Sequence, residues 1–98
     1  MLSAGKRYSE QTLTAVVKST TPGVPRLGLA ISSRVAPDAV DRNRIKRLAR
    51  ESVRSHRARL PAVDVVILAR SGAAAARPAE LRGALERLWQ RIAGAAAR

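Results

Sequence analysis

Short runs of apolar residues predict three β-strands. Residues 12–18 are rich in β-branched side chains and alternate roughly between apolar and polar positions. Residues 26–33 alternate between large and small side chains, and residues 63–69 form an almost continuous apolar run. The two alternating strands should each bury one face, whereas the continuous run is typical of a strand that is buried on both faces.

Two amphipathic helices complete the pattern. We expect the first to begin near Asp38, a suitable N-cap, and to end near Leu60, because Pro61 follows. At 100° per residue, its apolar side consists of Ile45, Leu48, Ala49, Ser52 and Val53. The second helix should open at Pro78, and the chain should fray from about residue 93. Its core stripe is formed by Leu81, Leu85, Leu88, Trp89 and Ile92.

The order of these elements predicts the fold class. A strand, a helix and a strand in succession imply a crossover between two parallel strands within a mixed sheet. The second helix should pack on that sheet, and residues 1–9 should form a polar lead-in to the first strand. We therefore expect one α/β domain (an α+β sandwich) over residues 1–98, with a small mixed β-sheet.

The side of the first helix that faces away from the core has a strongly basic character. It carries the residues Asn43, Lys46, Arg47, Arg50, Arg54 and Arg57, which we call the basic stripe. A solvated helix face is the ordinary interpretation of charged residues. However, Glu51 is the one carboxylate at the border of the basic stripe, where it could pair with Arg47 or Arg54. Cations at helical spacing repel each other, so a face that keeps them is better explained by a polyanionic ligand.

The composition supports a nucleic-acid ligand. The 98 residues include 19 Lys and Arg against 7 Asp and Glu, a formal net charge of +12. A membrane partner is less well supported, because no apolar run approaches the ~20 residues of a transmembrane span. Tyr8 and Trp89 are the only large aromatic residues, which argues against binding by serial base stacking. Cysteine is absent, so redox chemistry and thiolate metal sites are excluded.

Nothing in the sequence predicts catalysis by the chain itself. Acid–base cleavage of RNA needs two positioned groups that titrate near neutral pH, and His56 is the only histidine. We expect His56 to be a packing residue at the edge of the first helix. The carboxylates are scattered and fit helix ends or surfaces better than a metal site. A DNA-binding helix is disfavoured because no helix-turn-helix partner precedes the basic one.

The basic helix also carries a family signature. Residues 42–51 read R-N-R-I-K-R-L-A-R-E, which resembles the R-N-R-x-K-R-x-x-R-E motif of the bacterial ribonuclease P protein subunit. Residues 25–32 (P-R-L-G-L-A-I-S) and 64–70 (D-V-V-I-L-A-R) resemble two strands of that family, and residues 5–9 resemble the segment before its first strand. The resemblance extends from about Gly5 to Ile92.

The resemblance implies a fold, a function and a set of partners. The fold would be the sandwich described above, with a left-handed crossover. The function would be to assist a catalytic RNA subunit in removing the 5′ leader of precursor tRNA in the cytoplasm. That RNA would use Mg²⁺, the protein would bind no cofactor, and neither DNA nor a membrane would be a partner. The alternative that we retain is a basic ribosome-associated RNA-binding protein without a nuclease role.

The resemblance also suggests roles for individual residues. The candidates for RNA binding are Arg34, Arg42, Asn43, Arg44, Lys46, Arg47, Arg50 and Arg54. The residues that could line a cleft for the leader are Tyr8, Thr12, Thr14 and Lys18. Two features depart from the family. A helix that usually precedes the first strand is not found before Gly5, which bears on leader binding. The family's S-K-[KR]-V-G stretch reads Ser32 to Ala36 here, with one cation and one glycine fewer.

Overall fold

Four strands and two helices form the part of the chain that the computed structural model describes, residues 6–19, 26–56 and 63–96. In chain order they are β1 (Lys6–Ser9), β2 (Leu13–Ser19), β3 (Arg26–Ala30), α1 (Ala39–His56), β4 (Val63–Ala69) and α2 (Pro78–Ala96). The predicted end of the first helix near Leu60 falls outside the described residues.

The strands form one mixed sheet in the order β1-β2-β4-β3. β2 pairs antiparallel with both β1 and β4, whereas β3 and β4 are parallel. Since α1 lies between β3 and β4 in the chain, it is the crossover helix that the sequence predicted. The mixed sheet and the crossover are confirmed, and the left-handed sense of the crossover stays a prediction.

β1 corrects one expectation. Residues 6–9 do not form a simple lead-in but a short edge strand, with Lys6 opposite Val17 and Ser9 opposite Thr14. The K-R-Y-S sequence of β1 has no apolar alternation, because most of this strand is exposed to solvent. Its position depends on backbone pairing with β2, which a local hydropathy pattern does not reveal.

One face of the sheet is buried more completely than the other. Leu13, Ala15 and Ile67 are fully buried and belong to a core cluster shared with both helices. The alternate residues Val66 and Leu68 are only half-buried. The expectation that β4 is buried on both faces is therefore wrong. The apolar run is continuous because β4 is an interior strand, but α1 and α2 pack on a single face of the sheet.

The helices bury the stripes that their sequences predicted. In α1, Ile45, Leu48, Ala49 and Val53 are buried, while Ser52 is half-buried. In α2 the buried set includes Leu81, Leu85, Leu88, Trp89 and Ile92, each at most 2% exposed. Because these side chains fill the space between the sheet and the helices, the opposite side of α1 is left toward solvent.

A carboxylate caps the start of each helix. The Asp38 carboxylate accepts a hydrogen bond of 3.0 Å from the Val40 N–H, which confirms Asp38 as the N-cap of α1. The Glu80 carboxylate accepts one of 2.8 Å from the Arg77 N–H, immediately before Pro78. At the other end, α2 continues to Ala96, and fraying from about residue 93 stays a prediction. Burial of Ile92 and the helix propensity of the alanines that follow favour a helix over these residues.

Candidate nucleic-acid interface

The basic stripe lies on the solvent side of α1. Asn43, Arg47, Arg50 and Arg54 are exposed, and Lys46 is half-buried. None of these five side chains forms a hydrogen bond or an ion pair with another described residue, and Arg57 falls outside the described ranges. The structure thus brings these predicted RNA-binding residues onto one face, with their hydrogen-bond donors available to a ligand.

Glu51 does not neutralise this face. Its carboxylate is exposed and makes no ion pair with Arg47 or Arg54 among the described residues. The pairing of Glu51 with Arg47 or Arg54 that the sequence suggested is therefore not found among the described residues. The contact made by Glu51 is through its backbone carbonyl, which accepts a bond of 3.3 Å from the Ser55 hydroxyl.

Arg42 has a different environment from the stripe. Its Nη1 donates hydrogen bonds of 2.8 Å to two backbone carbonyls, those of Ala36 and Pro37. These carbonyls belong to the segment that leads into α1, so Arg42 fixes the approach of the chain to its own helix. A guanidinium has five N–H donors, and the other nitrogens of Arg42 make no bond with a described residue.

Arg44 is also held by the protein. Its Nη2 donates a hydrogen bond of 2.9 Å to the carbonyl of Ala74 and lies 3.7 Å from the Asp41 carboxylate. Its Nε is buried without a partner, while the side chain as a whole is 36% exposed. Arg44 therefore links α1 to the loop before α2. Asp41, in the first turn of α1, is part of this link.

The turn before α1 displays Arg34. The Ser32 carbonyl accepts bonds from the N–H groups of Val35 (3.2 Å) and Ala36 (3.0 Å), and the Ser32 hydroxyl accepts one of 3.0 Å from the Arg34 N–H. The Arg34 side chain is exposed. Ala36 is fully buried, and no described residue other than glycine has a positive φ. The alanine that replaces the family's glycine therefore fits, and its methyl group adds to the core.

Hydrogen bonds join α1 to α2 on the side of α1 opposite the basic stripe. The Trp89 Nε1–H donates to the Ser52 hydroxyl at 2.6 Å. The ring of His56 lies 3.0 Å from the Ser52 carbonyl through Nδ1 and 3.2 Å from the Glu86 carboxylate through Nε2. His56 is 9% exposed, which agrees with the prediction that it is a packing residue at the helix boundary.

The four residues predicted to line a leader cleft do not share one surface. Tyr8 pairs with Ala15, so its ring lies on the face of the sheet covered by the helices. Thr12 lines a small cavity beside the start of α2. Thr14 and Lys18 lie on the opposite face, where the Thr14 hydroxyl is 3.3 Å from that of Ser9. The structure thus separates Tyr8 and Thr12 from Thr14 and Lys18.

An ion-pair cluster that the sequence did not indicate joins β1 to α2. The Glu10 carboxylate accepts bonds from Arg87 Nε (2.6 Å) and Arg91 Nη1 (3.1 Å). The hydrogen bond from Arg87 is the main reason that the pKa of Glu10 lies below its ordinary value, although burial opposes the shift. Arg91 also lies over the Tyr8 ring, 5.4 Å from its centroid. Because Glu10 is separated from Arg91 by 81 positions, no local pattern could have revealed the cluster.

The described residues contain no cluster of three or more His, Cys, Asp or Glu side chains that could hold a metal ion. Neither described helix is both long enough and apolar enough to cross a bilayer. The exposed side of α1 instead carries a row of cationic side chains whose N–H donors are unpaired among the described residues. Such a row suits phosphate groups.

The chain is similar to known ribonuclease P proteins in sequence and in structure. The family model described as Ribonuclease P matches residues 1–93. The ribonuclease P protein component of Thioalkalivibrio sulfidiphilus is 44% identical over 87 residues, which cover 89% of this chain and 72% of that protein. The protein component of Methylococcus capsulatus is 46% identical over 83 residues, covering 85% and 65%.

The fold has a close counterpart among solved structures. The RNase P protein of Staphylococcus aureus superimposes with a TM-score of 0.81 at 27% identity, covering 91% of this chain and 81% of that one. The RNase P protein of Thermotoga maritima gives a TM-score of 0.79 at 24% identity, covering 90% and 84%, which supports the fold alone.

Proposed function

This chain belongs to the bacterial ribonuclease P protein family, and from that premise we propose how it serves the holoenzyme that removes the 5′ leader of precursor tRNA. The protein binds the catalytic RNA subunit through the basic stripe and neutralises phosphates, so that the RNA and its tRNA substrate can approach each other. The RNA performs the hydrolysis with Mg²⁺. The bacterial origin of the relatives supports a cytoplasmic location, since bacteria transcribe tRNA there.

The observation that carries this proposal is the lack of internal partners along the stripe. Arg47, Arg50 and Arg54 are exposed and form no bond with another described residue. Three like charges on one helix face destabilise the free protein slightly, and a phosphate backbone removes that cost. Arginine can also bind a phosphate through two parallel N–H bonds. Asn43 can both donate and accept, which suits a ribose 2′-OH or a base edge.

Arg42 and Arg44 serve the same interface in another way. Both guanidinium groups keep their charge, but their positions are fixed by carbonyls of Ala36, Pro37 and Ala74. We propose that they add to the positive potential while holding the segment before α1 and the loop before α2. Arg34 is exposed in the turn before α1 and extends the positive surface beyond the stripe, of which the half-buried Lys46 is a member.

Leader binding is proposed for the face of the sheet that α1 and α2 leave uncovered. Thr14 and Lys18 lie there; Lys18 is exposed, whereas Thr14 is only 5% exposed and offers a ligand little surface. Tyr8 and Thr12 could contact the leader only if it reached around to the edge strand or to the start of α2. The support for a leader contact is therefore stronger for Lys18 than for Tyr8.

The experiment that tests the proposal is reconstitution at low Mg²⁺. The catalytic RNA of the same organism should cleave precursor tRNA slowly by itself when Mg²⁺ is limiting, and adding the protein should restore leader removal. The triple variant Arg47→Ala, Arg50→Ala, Arg54→Ala should lose most of this effect. Lys6→Ala provides a control on β1, at the sheet edge opposite β3 and α1.

The result also separates the proposal from its alternative. A ribosome-associated RNA-binding protein of equal charge would not restore leader removal specifically, and the family match disfavours it. If the wild-type protein bound the RNA but failed to restore cleavage, the proposed role in the holoenzyme would be wrong.

A further inference from the structure

Val40 is the large hydrophobic side chain that stands out on the described surface, with 72% of its area exposed. It lies in the first turn of α1, directly after Ala39, where the helix begins. Single exposed apolar residues are common on protein surfaces, so exposure alone indicates little. The position of Val40 relative to the basic stripe makes it informative.

Helical geometry places Val40 on the same face as the stripe. At 100° per residue, Arg47 is seven positions further and lies about 20° from Val40 around the axis, and Asn43 lies about 60° away. Ile45 and Ala49, which face the core, are on the opposite half of the helix. A ligand that contacts Asn43 and Arg47 along this face therefore meets Val40 at the start of the helix.

The side chain is also held in place before any ligand arrives. The Val40 N–H is bonded to the Asp38 carboxylate at 3.0 Å, and Arg42 ties the segment before it to the helix. A β-branched side chain in a helix has few rotamers. Val40 thus offers a rigid apolar contact that loses little conformational entropy on binding.

The charges around Val40 indicate which part of a nucleotide it meets. Two carboxylates lie near Val40, that of the N-cap Asp38 and that of Asp41 in the first turn, with Arg44 at 3.7 Å from the latter. These acids offset the charges of Arg42 and Arg44, so the start of the helix is less positive than the stripe further along, where cations unpaired among the described residues attract phosphates. An uncharged ribose or base face is therefore the complementary group at the start of the helix.

We propose that Val40 packs against the ribose or base of a nucleotide in the catalytic RNA, beside the phosphates that bind the basic stripe. This contact rests on the proposed function, because the same RNA occupies both. It adds an apolar anchor to an interface otherwise made of charged and polar groups, and it fixes the register of the RNA along α1.

The test compares two variants of Val40 with Arg47→Ala by measuring the affinity for the catalytic RNA at several salt concentrations. Val40→Ala removes the apolar contact, and it should weaken binding about tenfold, as expected for two buried methyl groups. Val40→Thr keeps the shape and should cause a smaller loss. Neither should change the slope of log affinity against log salt, whereas Arg47→Ala should flatten it by about 0.9.

Two controls separate binding from folding. Alanine favours a helix more than valine, so Val40→Ala should not unfold at a lower temperature than the wild type. Gln90→Ala, an exposed position on α2, should leave affinity unchanged. If the Val40 variants bound RNA like the wild type, or if they flattened the salt slope, the contact would be refuted. If Arg47→Ala also had no effect, the proposed function itself would fail.

Discussion

The indole N–H of Trp89 donates a hydrogen bond of 2.6 Å to the hydroxyl of Ser52, and this bond joins the two helices beneath the basic stripe. Trp89 is only 1% exposed, so its N–H has no access to bulk water. The hydroxyl of Ser52 therefore satisfies a buried donor and ties α1 to α2.

Removing the Ser52 hydroxyl should lower the free energy of unfolding. In Ser52→Ala the Trp89 N–H would be left buried without an acceptor, which typically costs about 1–3 kcal/mol. Chemical denaturation should show this loss of the free energy of unfolding. Ser55→Ala is the matched control, because the Ser55 hydroxyl is exposed and bonds only to a backbone carbonyl at 3.3 Å. Equal stability of the two variants would contradict the role assigned to Ser52.

Arg44→Ala and Arg47→Ala should differ in their effect on the free energy of unfolding. Arg44→Ala breaks the bond to the Ala74 carbonyl and should lower the free energy of unfolding by about 1–2 kcal/mol. Arg47 has no partner among the described residues, so Arg47→Ala should change stability by less than about 0.5 kcal/mol. Urea denaturation of both variants checks this. If Arg44→Ala were as stable as Arg47→Ala, the link between α1 and the loop before α2 would not exist in solution.

Glu10 should make stability depend on pH in the acid range. Its pKa is lower in the folded chain than its ordinary value of 4.5, because Arg87 and Arg91 favour the carboxylate. The resulting stabilisation is present above that ordinary pKa and is lost as the pH falls through the folded pKa. Glu10→Gln should lower the free energy of unfolding at pH 7 by about 1 kcal/mol, a modest value since both arginines are half-exposed.

The free energy of unfolding of Glu10→Gln should approach that of the wild type under acidic conditions. Urea denaturation at pH 7 and near pH 3 measures the difference between the two proteins at each pH. The difference should shrink at low pH, because protonated Glu10 no longer pairs with the arginines. A difference that stayed constant would show that the cluster acts through something other than the carboxylate charge.

The sequence predicted the parts of the fold that repeat with a fixed period. The stripe from Leu81 to Ile92 and the apolar side of α1 are buried as expected, because helical spacing alone decides which residues face a core. The parallel pair of β3 and β4 followed from the order of elements. The basic stripe was found for the same reason, since it is the complement of the apolar side.

The features that the sequence did not predict depend on distant partners. β1 is defined by its pairing with β2, and its polar residues carry no periodic signal. Arg42 and Arg44 resemble their neighbours in the signature, yet each is bonded to a backbone carbonyl outside α1, and no sequence pattern marks a carbonyl acceptor. The pairing of β1 also explains why Tyr8 and Thr14 lie on opposite faces of the sheet. Thr14 pairs with Ser9, the residue after Tyr8, and consecutive residues of a strand point to opposite faces.

The salt dependence of RNA binding tests most directly whether the exposed side of α1 meets RNA phosphates. The double variant Arg47→Ala, Arg50→Ala should bind the catalytic RNA more weakly and flatten the slope of log affinity against log salt by nearly two, about 0.9 for each lost phosphate contact. Lys6→Ala, which removes one charge from β1, should leave the slope close to that of the wild type. A slope in the double variant equal to that of the wild type would contradict the assignment of α1 as the RNA-binding surface.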